Sequence, residues 1–175
     1  MSAEIVDIFD EHGQNLGSMS RVEAEAKGHI IENVIVFVFN SLGKVWVQKR
    51  PMHKATMKGL WDTSVSGAVK SGEKPPQAAV REQQEEMGFT SDLHLIESFE
   101  NTFDDENGSK TTRRSHLFIA IDDRIPQPNE EVDEHRSEYP DVLRSQVITD
   151  PREYVPSMLF ELDKAIAGFK AFFHE

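Results

Sequence analysis

Three glutamates, Glu82, Glu85 and Glu86, have a spacing that suits metal binding. Residues three and four positions apart share one face of a helix, so a helix here would present the three carboxylates together. Like charges at this spacing weaken a helix by about 0.2–0.5 kcal/mol per pair unless a cation compensates them. Oxygen ligands suit a hard cation, so the pattern indicates Mg²⁺ or Mn²⁺. A solvated acidic helix face is the alternative interpretation.

The residues around these glutamates form a longer motif. The segment 67–89, GAVKSGEKPPQAAVREQQEEMGF, resembles the Nudix box, G-x5-E-x7-R-E-U-x-E-E-x-G-U, in which U is apolar. The match includes every charged position and every glycine of that motif. It departs at Gln83, where an apolar residue should pack the helix against the sheet. A buried glutamine needs hydrogen-bond partners, so we expect altered packing at this position.

The resemblance implies a role for each charged position of the box. In Nudix proteins of this kind the last two glutamates bind the metal, here Glu85 and Glu86. Glu82 is then a further metal ligand or the base that activates water. The first glycine of the box, Gly67, usually offers its carbonyl oxygen to the metal. The resemblance therefore predicts a metal site built from residues of one loop and one helix.

Two further box residues and a later loop complete the predicted site. Arg81 and Glu73 are expected to pair with each other or with the metal-binding glutamates, and Arg81 is counted with the catalytic residues. Family members place the base either in the box or in a later loop. The loop candidates are Glu130, Glu131 and Glu134, for which a solvated acidic loop is the alternative.

The segment before the box indicates a branch of the family. It contains R-x3-K, G-x-W and S-V-x-G, and is similar to a subgroup related to isopentenyl diphosphate isomerase. The resemblance implies that Arg50 and Lys54 bind a diphosphate and that Trp61 stacks on the substrate or forms a wall beside it. A solvated strand end and loop is the alternative for the two basic residues, and core packing is the alternative for Trp61.

The isomerase itself is a rival interpretation from another enzyme class. It uses a cysteine just before the first box glycine and a metal-binding histidine just after it, where this chain has Ser66 and Ala68. It also uses glutamates on a later strand, and the matching stretch, residues 111–114, reads TTRR. A serine is a poor substitute for a thiol in protonating an alkene, so the sequence favours hydrolysis.

Two arginines stand where the isomerase has acidic residues. Arg113 and Arg114 are predicted near the cleft, and we hypothesise that they contact a substrate phosphate or a carboxylate on the leaving group. A charged hairpin end is the alternative.

Composition restricts the class of partner. The chain has 175 residues, no cysteine and a formal net charge of −12, which disfavours binding of long nucleic acids. A small phosphorylated substrate remains compatible with this charge, because bound metal and a few basic side chains can reverse the sign inside a pocket. No apolar run reaches 18 residues, and the N-terminus lacks a signal peptide's features, so we expect no membrane span and a cytoplasmic location.

The elements that must position these residues follow from hydrophobic patterning. Residues 34–39 and 45–49 read as strands of a hairpin, and residues 93–103 and 115–121 as two strands joined by a polar loop over 104–114. The box helix ends near Gly88, and an apolar stripe predicts a C-terminal helix at about 156–173. This order suggests α/β, and the resemblance implies a Nudix-type α/β/α sandwich with a central mixed sheet, formed by one domain over 1–175.

Together these features predict a Mg²⁺-dependent Nudix hydrolase. Metal-assisted attack of water would cleave a phosphoanhydride bond in a nucleoside diphosphate derivative, either a nucleoside di- or triphosphate or a nucleotide sugar. Many relatives are dimers, so a homodimer is expected by analogy. A non-catalytic Nudix-fold binding module is a third interpretation, but such proteins usually lose box glutamates.

Overall fold

The computed structural model describes residues 3–104 and 108–173. Its strands are β1 (Ile5–Phe9), β2 (Asn15–Ser20), β3 (Ile30–Phe39), β4 (Val45–Lys49), β5 (Trp61–Asp62), β6 (Val65–Ala68), β7 (His94–Asp104), β8 (Lys110–Ile121) and β9 (Glu134–Glu138). Its α-helices are α1 (Arg21–Ala26), α2 (Pro75–Met87), α3 (Pro140–Thr149) and α4 (Met158–Phe173), and a 3₁₀ turn covers Pro151–Glu153.

Strand β3 lies at the centre of a mixed sheet. It runs parallel to β8, with a register from Ile31 opposite Arg113 to Phe39 opposite Ile121. It also pairs antiparallel with β1, β4 and β6. This pairing brings the start of β8 and the end of β6 to the same part of β3, which is where the predicted site residues converge.

The side chains of β3 are buried on both faces of the sheet, because a layer of helices covers each face. Side chains of a strand alternate between faces. Val34, Val36 and Val38 pack with α2 on one face, while Ile35 and Phe37 pack with α3 and α4 on the other. The predicted α/β/α sandwich with a central mixed sheet is therefore confirmed, and the dense apolar run of β3 is explained by burial on both sides.

Helix α2 has defined ends that fix its orientation toward the sheet. The backbone N–H of Lys74 donates to the Gln77 side chain at 2.9 Å, and Pro75 occupies the first helical position. Gly88 ends the helix in the left-handed conformation, with φ at 82°, and its N–H donates to the carbonyl of Gln84. The helix therefore contains Glu82, Glu85 and Glu86, whereas Glu73 lies before its start.

Several elements differ from those expected from the sequence. The sequence patterns did not predict the polar strands β2 and β9 or the helix α3. The strands β7 and β8 extend further into the predicted loop over 104–114, whose residues 105–107 lie outside the described part of the chain. The C-terminal helix begins at Met158 instead of about 156. No helix within the described residues is long and apolar enough to cross a membrane.

Candidate active site

A cleft of about 510 Å³ lies beside the acidic face of α2. Its lining combines β3, β5, β6 and β8 of the sheet with α1, α2, α4 and the loop that follows β4. The charged side chains at its wall include Arg50, Lys54, Asp62, Arg81, Glu82, Glu85, Glu86, Arg113, Glu131 and Glu161. Most of the residues predicted from the box therefore face one cavity.

Gly67 allows α2 to approach strand β6 closely. A Cβ atom placed on Gly67 would lie 2.0 Å from the carboxyl carbon of Glu82 and 2.2 Å from one of its oxygens. No side chain fits in that space, so the first position of the box must be glycine for the carboxylate to reach the strand. The Glu82 side chain is nearly buried as a result, and this burial raises its pKa to about 7 despite the opposing effect of Arg81.

Arg81 connects the two ends of the box. Its guanidinium donates to both carboxylate oxygens of Glu73 at 2.9 Å and to Glu82 at 2.5 Å. It also donates to Glu85 at 3.3 Å and to the carbonyl oxygen of Ala68 at 3.1 Å. The bidentate contact with Glu73 fixes the plane of the guanidinium, which orients the acidic face of α2 toward β6.

Glu86 is the most deeply placed carboxylate of the box. Its Oε2 accepts hydrogen bonds from Gln48 Nε2 at 2.7 Å and from the backbone N–H of Ser66 at 2.9 Å. Burial and the nearby charge of Glu82 raise the pKa of Glu86 well above its usual range. Glu85 differs from both, because its side chain is 45% exposed at the mouth of the cleft.

The box residues fit a divalent cation chemically. The carboxylates of Glu82 and Glu86 are both buried, and they lie close together beside Gly67, whose missing side chain leaves the space that we call the glycine cradle. All their donor atoms are oxygen, which suits a hard divalent cation. Within the described residues, no group of three Asp, Glu, His or Cys side chains is already arranged to hold an ion. Glu82 and Glu85 accept hydrogen bonds from Arg81, so both would turn from it to bind a metal.

The predicted diphosphate-binding residues Arg50 and Lys54 also line the cleft. Arg50 donates to Asp62 at 3.1 Å and to the carbonyl oxygen of Thr56 at 3.2 Å. Lys54 forms an ion pair with Glu131. Both basic side chains therefore face the cavity, although each is held by an acidic partner.

One of the three loop glutamates reaches the cleft. Asn129 donates to the carbonyl oxygens of Glu85 and Glu86 at 3.2 and 3.3 Å, and accepts from the backbone N–H of Glu131 at 2.8 Å. These contacts attach the loop to the end of α2 and bring Glu131 to the cavity wall. Glu130 and Glu134 are exposed and are not part of the described cleft lining.

The two arginines at the start of β8 point to different places. Arg113 lines the cleft, donates to Glu25 at 3.1 Å and lies over the Phe103 ring at 5.5 Å. Arg114, the next residue along the strand, pairs with Glu100 at 2.7 Å and lies outside the described lining. Neighbouring residues of a strand face opposite sides of the sheet, which explains the separation.

Trp61 is half-buried and packs against the core between the sheet and helices α3 and α4, and it is not among the residues that line the cleft. Arg136 lies over its ring at 4.3 Å, and Lys49 lies 5.6 Å from the ring centroid. This position agrees with core packing, the alternative to a contact between Trp61 and the substrate.

Two carboxylates of the cleft were not predicted from the sequence. Asp62 accepts from Arg50 and from the Ser66 hydroxyl at 3.2 Å, so it joins the phosphate side of the cleft to the box. Glu161 lies on α4, buried on the same helix face as Met158 and Ala165. The sequence did contain a signal for Glu161, because it lies three residues after Met158 and four before Ala165, on the apolar face of the predicted helix.

Comparison with known proteins agrees with this geometry. The NUDIX domain model matches residues 30–158. An uncharacterized Nudix hydrolase of Pseudomonas aeruginosa is 31% identical over 158 residues, which is 90% of either chain. An isopentenyl-diphosphate Delta-isomerase of Halorhodospira halophila is 33% identical over 132 residues, covering 73% of this chain and 75% of the isomerase.

Solved structures show the same fold. A crystal structure from Deinococcus radiodurans superposes with a TM-score of 0.77 at 21% identity, covering 92% of this chain and 98% of the other. The NUDIX domain of Shewanella oneidensis NrtR, solved with ADP ribose, has a TM-score of 0.61 at 17% identity, covering 85% and 98%.

Proposed function

This chain belongs to the Nudix hydrolase family, and we propose that it is a Mg²⁺-dependent hydrolase of phosphoanhydride bonds in nucleoside diphosphate derivatives. The observation that supports this most directly is the buried pair Glu82 and Glu86 beside the glycine cradle at Gly67. Burial raises the pKa of both carboxylates, and among the described residues only Glu82 has a cationic partner, Arg81, so a bound cation would stabilise the ionised pair.

The box supplies the ligands for that cation in our proposal. Glu82, Glu85 and Glu86, with the carbonyl oxygen of Gly67, would hold Mg²⁺, or Mn²⁺ in its place. When bound, the ion supplies Lewis-acid stabilisation of the phosphate oxygens. Arg81 would keep the acidic helix face in place through its contacts with Glu73 and Ala68.

Two basic residues of the cleft would position the substrate. Arg50 and Lys54 face the cavity, and their ion pairs can be exchanged for contacts with substrate phosphate. The proton of the attacking water would pass to a carboxylate oxygen of Glu82 or of Glu131, which both line the cleft. Replacing each by glutamine separately, and comparing the loss in kcat, would assign the base.

Nucleoside di- and triphosphates and nucleotide sugars are the proposed substrates. We further propose that residues 1–175 act as one domain, because Arg21 and Glu25, outside the matched segment, line the same cleft as the box. A homodimer in the cytoplasm is our expectation for the assembled protein, and light scattering would measure its mass.

A substrate panel tests the proposed function. Cleavage of the diphosphate would be followed by ion-exchange chromatography of the products from nucleoside di- and triphosphates, nucleotide sugars, ADP-ribose and isopentenyl diphosphate, each with Mg²⁺ or with a chelator. Glu86→Gln should lower turnover by about 100-fold or more. Gln84→Ala, at an exposed position of the same helix, is the matched control.

Three outcomes would contradict the proposal in different ways. Absence of diphosphate cleavage in every compound would exclude the hydrolase. Conversion of isopentenyl diphosphate to its isomer would identify the isomerase activity of the related proteins. Saturable binding without turnover, unaffected by Glu86→Gln, would indicate a binding module.

A further inference from the structure

One end of the cleft has a mixed polar lining that the box chemistry does not use. We call it the Arg113–Glu161 pocket; its polar lining residues are Asn33, Asp62, Arg113, Ser115 and Glu161, while the apolar Ile35, Phe103 and Val155 also line the cleft. Asn33 and Ser115 are register partners on β3 and β8, and their side chains share a hydrogen bond of 2.7 Å. Asp62 joins this pocket to the metal-binding side through Ser66, whose N–H donates to Glu86.

The basic charges at this end of the cleft are already neutralised. Arg113 pairs with Glu25 at 3.1 Å, and Glu25 also pairs with Arg21 at 3.1 Å. Arg21 has Glu4 as a further partner at 3.3 Å. The two arginines of this network are therefore balanced by two glutamates. The pocket therefore lacks the excess positive charge that would bind an additional phosphate group.

A hydrocarbon group would fit this pocket no better. The Nε atom of Arg113 is buried and has no hydrogen-bond partner among the described residues. The Glu161 side chain is 6% exposed and lies within electrostatic range of Asp62 and Arg113. Covering these groups with an apolar substituent would leave buried donors and acceptors unpaired.

We propose that Arg113 and Glu161 are specificity-determining residues, which select substrates whose group beyond the diphosphate is uncharged and carries hydroxyl or amide groups. This inference rests on the proposed hydrolase function. Arg113 would donate to an oxygen of that group, and the carboxyl of Glu161 would bind a hydroxyl or amide. Among the proposed substrates, nucleoside triphosphates would then be cleaved less efficiently because of the charge balance, and a diphosphate that ends in a hydrocarbon would be disfavoured because of the unpaired polar atoms.

Two residues that set the charge of this pocket lie outside the matched family segment. Glu161 and Glu25 both lie outside residues 30–158. Glu25 holds Arg113 from α1, and Glu161 approaches from α4 on another side of the cleft. The two elements that flank the matched segment thus supply the partners that set the polarity of this pocket.

Selectivity between substrates provides the test. The ratio of kcat/KM would be measured for ADP-ribose and UDP-glucose against ATP and isopentenyl diphosphate, with Mg²⁺. The wild type should prefer the first two by at least about 10-fold, and Glu161→Leu or Arg113→Met should reduce that preference by about 10- to 100-fold. Asp163→Asn, two residues along α4 and paired with Arg144 outside the cleft, is the matched control.

Selectivity and turnover separate the two proposals. Turnover with a wild-type preference for ATP or for isopentenyl diphosphate would overturn the specificity inference while leaving the hydrolase intact. An unchanged preference in folded Glu161→Leu and Arg113→Met proteins, checked by circular dichroism, would also overturn it. If no compound is turned over, the hydrolase proposal fails. The specificity inference is then tested by calorimetry, as the ratio of Kd values for ADP-ribose and UDP-glucose against ATP and isopentenyl diphosphate. Glu161→Gln, which keeps the size and hydrogen-bonding atoms, should retain most of the preference.

Discussion

Gln83 and Ser91 exchange two hydrogen bonds at the end of the box helix. Gln83 Nε2 donates to Ser91 Oγ at 2.8 Å, and the Ser91 backbone N–H donates to Gln83 Oε1 at 2.9 Å. The Ser91 hydroxyl donates in turn to Asp122 at 2.8 Å, just after β8. The fully buried glutamine at an apolar position of the motif therefore has its partners and joins α2 to the sheet.

Replacing this glutamine with an apolar residue should destabilise the protein. Gln83→Leu keeps a similar volume but leaves the Ser91 N–H without its acceptor, so we expect the free energy of unfolding to fall by about 1–3 kcal/mol. Urea denaturation would measure it. Gln84→Leu changes the neighbouring exposed residue in the same way and should stay within about 0.5 kcal/mol of the wild type. Equal stability of Gln83→Leu and wild type would show that the network contributes nothing.

The same network predicts a stability change at acidic pH. Hydrogen bonds from Arg124, together with that from Ser91, lower the pKa of Asp122 to about 2. A carboxyl with a lowered pKa contributes stability above its unfolded pKa of about 3.8, and this contribution is lost as pH falls toward 2. The stability difference between wild type and Asp122→Asn should therefore shrink between pH 5 and pH 2, as measured by urea denaturation.

An exposed aspartate gives the control for that experiment. The Asp92 side chain is 95% exposed, so Asp92→Asn should follow the wild type at each pH. A constant difference between wild type and Asp122→Asn across the acidic range would contradict the assignment.

Local patterns predicted the centre of the fold and the helix with the acidic face. The apolar run of β3 and the box both encode their structure within a few consecutive residues. The polar strand β9 has no such pattern, because its place depends on pairing with β4, where Arg136 can lie over Trp61. Trp61, predicted beside the substrate, packs against the core, a placement that also depends on such long-range contacts.

The candidate site likewise contains residues that local spacing predicted and residues whose position depends on tertiary packing. The spacing of box residues placed Arg81 and the glutamates on one face, and the structure brings them together with Gly67 at the cleft. Glu161 could not be placed from sequence, because its position depends on how α4 crosses the sheet relative to β8. Which of two neighbouring arginines faces the cleft likewise depends on the register of β8 against β3. Tertiary packing, rather than local pattern, therefore determines the substrate side of the site.

Gly67 and Glu82 should show strong energetic coupling. Gly67→Ala forces a methyl group into the space of the Glu82 carboxylate, so we expect a loss of about 1–3 kcal/mol in the free energy of unfolding. In a Glu82→Ala background that space is empty, and the same change should cost less than about 0.5 kcal/mol. A double-mutant cycle by urea denaturation measures the coupling. Additive effects of the two substitutions would show that the glycine is required for another reason.

The contribution of Glu161 to stability should depend on pH in the opposite direction to that of Asp122. Its burial, with the nearby charge of Asp62, raises its pKa to about 8 from 4.5. A carboxyl with a raised pKa contributes stability that is fully present below the unfolded pKa and is lost as pH rises through the folded pKa. The wild type should therefore lose stability relative to Glu161→Gln between pH 4.5 and pH 9, because the variant keeps a neutral side chain throughout. Thermal unfolding of both proteins over this range provides the measurement, and a difference that does not change with pH would show that Glu161 is ionised in the folded protein as in the unfolded chain.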